Sequence, residues 1–120
     1  MNAGSENVRV GISTGDLNGI GLEIIIKTLS DSRILSACTP VIYGSSKVVS
    51  FYRKALNAAD FNVTQLRMDE PVVAHKINLK CVWEEDVKLE PGQSSNDAAS
   101  YGFRSFEAAA ADLKNGLIDA

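Results

Sequence analysis

The feature that most constrains this chain is a glycine loop, residues 13–23, which lies between a strand pattern and a helix pattern. Apolar residues alternate over 8–12 before the loop and cluster over 24–29 after it. The loop contains three glycines, Gly15, Gly19 and Gly21. Glycine lets the backbone approach a ligand closely, and phosphate and nucleotide sites of α/β proteins commonly lie where a strand leads into a helix.

The rest of the pattern predicts an α/β protein. A strand over 8–13 precedes a helix over about 19–30, and a second strand over 40–44 leads to Ser45 and Ser46, which favour the start of a helix through 56. Further strands are predicted at 61–66 and 78–83 with a loop over 67–76 between them, and a turn-rich segment over 91–96 leads into a long helix from about Asp97 to Lys114.

The long helix is predicted to pack through its large apolar residues. An apolar stripe is formed by Ala98, Tyr101, Phe103, Phe106, Ala109, Ala110 and Leu113. This assignment leaves four polar side chains for solvent, namely Arg104, Glu107, Asp112 and Lys114.

Composition excludes several classes of function. The 120 residues, 45% hydrophobic and 22% charged, are typical of one soluble globular domain. The net charge is −3 and the cations are scattered, so we expect no nucleic-acid partner. No apolar run approaches the ~18 residues of a membrane helix and the first residues lack a cationic flank, so we expect no membrane partner and a cytoplasmic protein.

The cysteines and the histidine do not form a metal motif. Cys38 and Cys81 stand alone, and His75 is the only histidine, so no zinc-site spacing exists and no metal site is predicted in this chain. We interpret the cysteines as buried, reduced thiols and the histidine as a surface residue.

Two standard nucleotide motifs do not fit the glycine loop. The dinucleotide fingerprint needs a third glycine where Ile24 stands, and the phosphate loop needs a lysine that follows neither Gly19 nor Gly21. Free amides at the start of a helix could still attract an anion by roughly 0.3–1 kcal/mol. Asn18 is predicted to cap the helix, and Asp16 either caps the turn or contacts a ligand. From the residues alone, the glycine loop could be either a structural turn or a loop that binds a ligand.

The segment Thr14-Gly15-Asp16-Leu17-Asn18-Gly19-Ile20-Gly21-Leu22-Glu23 resembles the signature Thr-x-Gly-Asp-Pro-x-Gly-Ile-Gly-Pro-Glu of 4-hydroxythreonine-4-phosphate dehydrogenases. Leu17 and Leu22 stand where that family usually has proline. Other segments resemble the family in the same order: 41–46 its second strand and turn, Pro91-Gly92-Gln93 its mid-domain loop, and 105–116 its following helix.

The resemblance implies a three-layer α/β/α fold like that of isopropylmalate dehydrogenase, with a mostly parallel sheet. It implies an enzyme that oxidises the phosphorylated substrate 4-phosphooxy-L-threonine with NAD or NADP, after which the product loses carbon dioxide in pyridoxal phosphate biosynthesis. A divalent metal would polarise the hydroxyl group being oxidised. The full-length enzyme would be a homodimer. One loop of its active-site cleft would come from Thr14, Gly15, Asp16, Asn18, Gly19 and Gly21.

Residues beyond 117 look like the start of another buried strand, so we interpret the chain as the front part of a longer protein. It would consist of a flexible tail over 1–7 and part of the dehydrogenase domain over 8–120. The catalytic residues, the metal ligands and the cofactor motifs of the family are expected downstream of Ala120, so the chain alone should be inactive and bind neither cofactor nor metal. Two alternatives are a separate non-enzymatic α/β module that binds a small anion or a partner, and another enzyme of the isopropylmalate dehydrogenase fold.

Overall fold

The computed structural model describes residues 7–120 as four strands and four helices. In chain order they are β1 Val8–Ser13, α1 Gly21–Leu29, α2 Ile34–Ala37, β2 Cys38–Gly44, α3 Ser46–Ala55, β3 Thr64–Arg67, β4 Asn78–Cys81 and α4 Asn96–Lys114. The predicted strands and helices are thus confirmed in type and order. The predicted flexible tail lies outside the described residues except for Asn7, whose Nδ2 donates to the carbonyl of Leu35 at 2.9 Å.

Three local features differ from the prediction, the first being that β4 ends at Cys81 although the strand was predicted to continue to residue 83. The third strand begins at Thr64 rather than at Phe61, because the backbone N–H of Phe61 closes a turn onto the carbonyl of Ala58 at 3.0 Å while its side chain packs in the core. The short helix α2 was not predicted, since four residues are too few to give a periodic pattern.

The strands form one parallel sheet in the order β1-β2-β4-β3. The register aligns Ile12 with Ile42 and Ile42 with Leu79 across three strands. Strand β2 lies in the interior of the sheet and is buried along almost its whole length, as expected for a parallel strand covered on both faces.

Helices cover both faces of the sheet. Ile42 and Leu79 pack in the same hydrophobic cluster as the buried side chains of α1 and α3. Val41 and Tyr43 alternate with Ile42 and so point to the other face, where they pack with Ile118 and with side chains of α4. The arrangement is a three-layer α/β/α fold. Within residues 7–120, no helix is long and apolar enough to cross a membrane.

The last residues run beside the outer edge of β1. The backbone N–H of Asp119 donates to the carbonyl of Arg9 at 2.8 Å, and the N–H of Gly11 donates to the carbonyl of Ala120 at 2.8 Å. An ion pair of 3.1 Å joins the side chains of Arg9 and Asp119. The further strand expected beyond residue 117 stays a prediction.

The predicted packing face of α4 is confirmed for Ala98, Tyr101 and Ala109, which pack against the core, and is wrong for its large apolar residues. The buried residues of the helix are small or polar, namely Ala98, Gly102, Ser105 and Asp112. Phe103 and Phe106 are 61% and 59% exposed, and Leu113 is 48% exposed. The reason is distance, because α4 lies so close to the glycine loop that only small side chains fit between them.

Asp112, which was expected in solvent, belongs to a buried polar cluster between the sheet and α4. Its Oδ2 lies 2.8 Å from Nζ of Lys80 and accepts a hydrogen bond of 2.7 Å from the hydroxyl of Tyr43. The Lys80 and Asp112 side chains are 2% and 7% exposed. Burial, together with the hydrogen bond and the charge of Asp112, raises the pKa of Tyr43 far above its usual value, so this hydroxyl remains a donor.

The substitution Asp112→Asn leaves the buried Lys80 ammonium without its counter-charge. We expect it to lower the free energy of unfolding by about 3–5 kcal/mol. The double variant K80M/D112N removes both charges, keeps an acceptor for Tyr43, and should regain most of that loss. Urea unfolding followed by the fluorescence of the single tryptophan, Trp83, measures both.

Asp69→Asn is the matched control, because the Asp69 side chain is 81% exposed and a surface change should cost within about 0.5 kcal/mol. Equal unfolding free energies for D112N and the control would contradict the assigned role of the buried pair.

Candidate functional site

The glycine loop is built around two positions that only glycine fits. Gly15 has a φ of 70°, in the left-handed region that favours glycine. A Cβ on Gly21 would lie 2.2 Å from the carbonyl oxygen of Thr14, a distance that real side chains do not adopt. The chain therefore leaves β1, folds back on itself and starts α1 within a few residues.

Asp16 closes the turn inside the loop. Its Oδ1 accepts from the backbone N–H of Asn18 at 2.9 Å, and its carbonyl oxygen accepts from the N–H of Gly19 at 2.9 Å. The side chain of Asp16 is nevertheless exposed. Asp16 thus performs the first of its two predicted roles, as the cap of the turn, and contact with a ligand stays a prediction.

Asn18 does not cap α1, contrary to the prediction. The N-cap residue is Ile20, and no side chain caps the helix. The buried Asn18 instead accepts from the N–H of Glu90 at 2.8 Å and donates to the carbonyl of Gln93 at 3.2 Å, while its own carbonyl accepts from the N–H of Gly92 at 2.8 Å. The intervening turn carries Asn18 away from the helix start, so it joins two loops.

Helix α4 supports the glycine loop from behind. A Cβ on Gly102 would lie 2.5 Å from the carbonyl oxygen of Gly15, so the helix and the loop touch backbone to backbone. Ser105, which is fully buried, accepts from the N–H of Thr14 at 3.0 Å and donates to the carbonyl of Tyr43 at 2.5 Å. One hydroxyl therefore links the loop, the sheet and the helix.

A third helix also contacts the loop. The hydroxyl of Tyr52 on α3 donates to the carbonyl of Leu17, whose N–H points to the carbonyl of Ala98 at 3.4 Å. Sequence reasoning missed the supporting roles of Tyr52, Gly102 and Ser105. The one available signal was Gly102, because a glycine inside a helix costs stability and commonly marks a close contact.

These contacts leave the first turn of α1 able to bind an anion. No side chain caps the helix, so the backbone N–H groups of residues 21–23 have the unsatisfied donors typical of a helix start. Ile20, just before them, is 68% exposed. Glu23 in the same turn is paired with Lys27 at 2.7 Å, which partly offsets the charge that would repel an anion. The loop can therefore donate to phosphate or carboxylate oxygens.

A separate cavity of about 450 Å³ lies at the carboxyl ends of β2, β3 and β4. Its lining includes Ser46, Lys47, Arg67, Cys81 and Trp83, and none of the predicted loop residues. The carboxyl edge of parallel strands is the usual place for ligands in such sheets. The Lys47 ammonium is paired with Asp86 at 2.6 Å outside this lining, so the cavity has mixed rather than strongly cationic walls.

Glu85 is the exposed carboxylate with the most strongly shifted pKa near this region. Its Oε2 accepts from Arg104 at 2.9 Å and from the hydroxyl of Tyr101 at 3.2 Å. The guanidinium of Arg104, which also lies 5.0 Å from the centre of the Tyr101 ring, lowers the pKa of Glu85 to about 2. This group stays ionised over the physiological range.

The two cysteines and the histidine considered in the sequence analysis do not lie together in a site. Among residues 7–120, no three His, Cys, Asp or Glu side chains come together as a metal site. Cys38 and Cys81 are free thiols of intermediate burial rather than fully buried, because both lie at strand ends. His75 is exposed, as predicted, in a loop where its φ is 63°.

Comparison with known proteins identifies the relatives of this chain. It is 35% identical to a 4-hydroxythreonine-4-phosphate dehydrogenase from Bacteroides thetaiotaomicron over 113 residues, which are 93% of this chain and 30% of that protein. A 4-hydroxythreonine-4-phosphate dehydrogenase from Campylobacter jejuni is 26% identical over 116 residues, covering 84% of this chain and 31% of its own length. The resemblance to the 4-hydroxythreonine-4-phosphate dehydrogenases is confirmed. No protein-family model matches the chain.

A solved structure supports the fold independently. The crystal structure of a 4-hydroxythreonine-4-phosphate dehydrogenase from Burkholderia phymatum matches 95% of this chain and 35% of its own with a TM-score of 0.75 at 19% identity. The expected isopropylmalate dehydrogenase-like α/β fold with a mostly parallel sheet is thereby confirmed. The chain spans about a third of the length of the 4-hydroxythreonine-4-phosphate dehydrogenases it matches.

The substitution Gly102→Ala tests the contact between α4 and the glycine loop. The new Cβ would meet the carbonyl of Gly15, so we expect a loss of about 1–3 kcal/mol in the free energy of unfolding. Helix propensity alone predicts the opposite sign, a gain of up to about 1 kcal/mol. Ser100→Ala, at an exposed position of the same helix, is the control for propensity. A stabilised G102A variant in urea unfolding would disprove the close contact.

The substitution Glu85→Gln tests the exposed pair with Arg104. The folded pKa of Glu85 lies below the ordinary value of about 4.3, so its ionised form stabilises the fold above that pH. This contribution declines as the pH falls below about 4.3 and is lost as the pH falls through about 2. We expect E85Q to be less stable than the parent chain at pH 7, and we expect most of that difference to be gone by about pH 2. Glu84→Gln is the control, and a pH-independent difference for E85Q would contradict the assignment.

Proposed function

We propose that this chain forms the N-terminal portion of an NAD(P)-dependent dehydrogenase that oxidises 4-phosphooxy-L-threonine, a reaction followed by decarboxylation in pyridoxal phosphate biosynthesis. The observation that carries the proposal is the 35% identity to the Bacteroides dehydrogenase across 93% of this chain. The whole enzyme is proposed to be a cytoplasmic homodimer. The chain spans about a third of the length of these relatives, so it would supply only part of the active site.

We propose that this chain contributes the glycine loop to the active site, where the loop forms one wall of the cleft. Its positions are Thr14, Gly15, Asp16, Asn18, Gly19 and Gly21. The uncapped N–H groups at residues 21–23 would donate to the phosphate or carboxylate oxygens of the substrate, and the helix dipole would add roughly 0.3–1 kcal/mol at an exposed position. The exposed Asp16 carboxylate lies in the same loop, where it would face a substrate donor group.

Residues 7–120, which the structure describes, do not fit the metal or the dinucleotide. No metal-ligand cluster exists among residues 7–120, and the glycine loop lacks the third glycine of the dinucleotide fingerprint. We therefore assign the metal, the cofactor and the proton-transferring groups to the remainder of the dehydrogenase. Binding and orientation are the functions that we assign to the loop itself.

A chimera tests this proposal. In it, these 120 residues replace the matching segment of the Bacteroides dehydrogenase, and oxidation of 4-phosphooxy-L-threonine is followed by the formation of NADH or NADPH with a divalent metal present. We expect the chimera to be active and the isolated chain to be inactive. Gly21→Ala in the chimera forces the loop away from Thr14, and we expect a drop of roughly 100-fold in kcat/KM.

Gly19→Ala is the matched control for the chimera. Its Cβ would lie 3.3 Å from the carbonyl of Asp16, a contact that a small shift relieves, so its effect should be much smaller. A folded but inactive chimera, judged by circular dichroism, would contradict the enzyme assignment. If the isolated chain then bound inorganic phosphate, the separate anion-binding module would become the better interpretation.

A further inference from the structure

The hydroxyl of Tyr52 bonds to the same peptide group that holds the Asp16 carboxylate. On one side of this group, the hydroxyl donates to the carbonyl oxygen of Leu17. On the other side, the backbone N–H of Asn18 donates to Oδ1 of Asp16 at 2.9 Å. The carbonyl and the N–H belong to one planar unit, the 17–18 peptide group. This group therefore connects the Tyr52 hydroxyl to the Asp16 carboxylate.

The two hydrogen bonds of the 17–18 peptide group strengthen each other. A donor at the carbonyl oxygen polarises the amide, so the N–H on the opposite side becomes a better donor. Because the group is planar, a fixed carbonyl also fixes the direction in which the N–H of Asn18 points. Tyr52 thus acts on Asp16 through this peptide group, without a direct hydrogen bond between the two side chains.

Burial makes Tyr52 a dependable donor. The residue is 5% exposed and packs in the hydrophobic cluster between the sheet and the helices α1 and α3, so its ring is held in place. Burial, and after it the charge of Asp16, raises the pKa of the hydroxyl above its ordinary value, so the hydroxyl is protonated at neutral pH. Leu17 is 1% exposed, so water has little access to compete for its carbonyl oxygen.

The Asp16 carboxylate keeps one oxygen for a ligand. Oδ1 is occupied by the N–H of Asn18, whereas Oδ2 accepts no hydrogen bond from residues 7–120. Asp16 is exposed, just before the uncapped start of α1. A carboxylate that is fixed through one oxygen presents the other in a defined direction. A hydroxyl or ammonium group of a ligand then binds with less loss of side-chain freedom.

We propose that Tyr52 is a positioning residue, which orients the Asp16 carboxylate toward a hydroxyl or ammonium group of the substrate. This role rests on the proposed function, in which the glycine loop forms one wall of the cleft. Tyr52 lies on α3, outside that loop, and acts through the 17–18 peptide group. Since proton transfer is assigned to the remainder of the dehydrogenase, loss of the hydroxyl should weaken substrate binding more than it slows the chemical step.

The substitution Tyr52→Phe keeps the ring and removes the hydroxyl. In NMR spectra of the 120-residue chain, we expect the amide proton of Asn18 to shift from its parent position toward its position in Asp16→Ala, which lacks the acceptor. Tyr101→Phe is the matched control, because its hydroxyl bonds to the exposed Glu85, and it should leave this resonance in place. The same spectra show that each variant is folded. An unchanged Asn18 resonance in Y52F overturns the proposal.

Kinetics of the chimera described above distinguish this role from a purely structural one. We expect Y52F to raise KM roughly fivefold and to leave kcat within about twofold. In a chimera that also carries Asp16→Ala, Y52F should change KM by less than about twofold, because the carboxylate that it positions is absent. Equal effects in both backgrounds overturn the proposal. An inactive chimera contradicts the proposed function instead, and the Asn18 resonance then decides whether Tyr52 positions Asp16.

Discussion

The structure depends on the backbone contact between α4 and the glycine loop. Gly102 faces Gly15 without room for a side chain, and the hydroxyl of Ser105 joins the loop to the sheet. This contact adds to the hydrogen bonds of the loop's own turn at Asp16. It also sets the distance of α4 from the sheet, and that distance decides which residues of the helix are buried.

Local signals in the sequence were sufficient for most of the fold. Alternating apolar residues predicted β1, and Ser45 predicted the start of α3, where its side chain accepts from the N–H of Val48 at 3.3 Å. The two partners in each of these features lie within one turn or one strand, so a local sequence pattern is enough to predict the contact. The same holds for Asp16, whose turn is closed by its immediate neighbours.

Apart from the short helix α2, the turn before β3 and the end of β4, the failures involved residues far apart in the chain. Asn18 has the chemistry of a helix cap, but its amide bonds to residues 72 and 75 positions away, which no local pattern reveals. The packing face of α4 was misjudged because periodicity ranks side chains by hydrophobicity, whereas the close contact with the loop selected them by size. Asp112 was misjudged with it, since its partners Lys80 and Tyr43 come from two strands that the sequence does not place beside it.

The pairing of Arg9 with Asp119 joins residues 110 positions apart, the longest separation among the contacts described above. Closing so large a loop costs chain entropy before any contact repays it, so local and medium-range pairings should form first. We therefore expect β1 to pair with β2 before the last residues dock along its outer edge. The glycine loop, which begins where β1 ends, should reach its final rigidity only in the closing stage of folding, when α4 has docked and the outer edge of the sheet is covered.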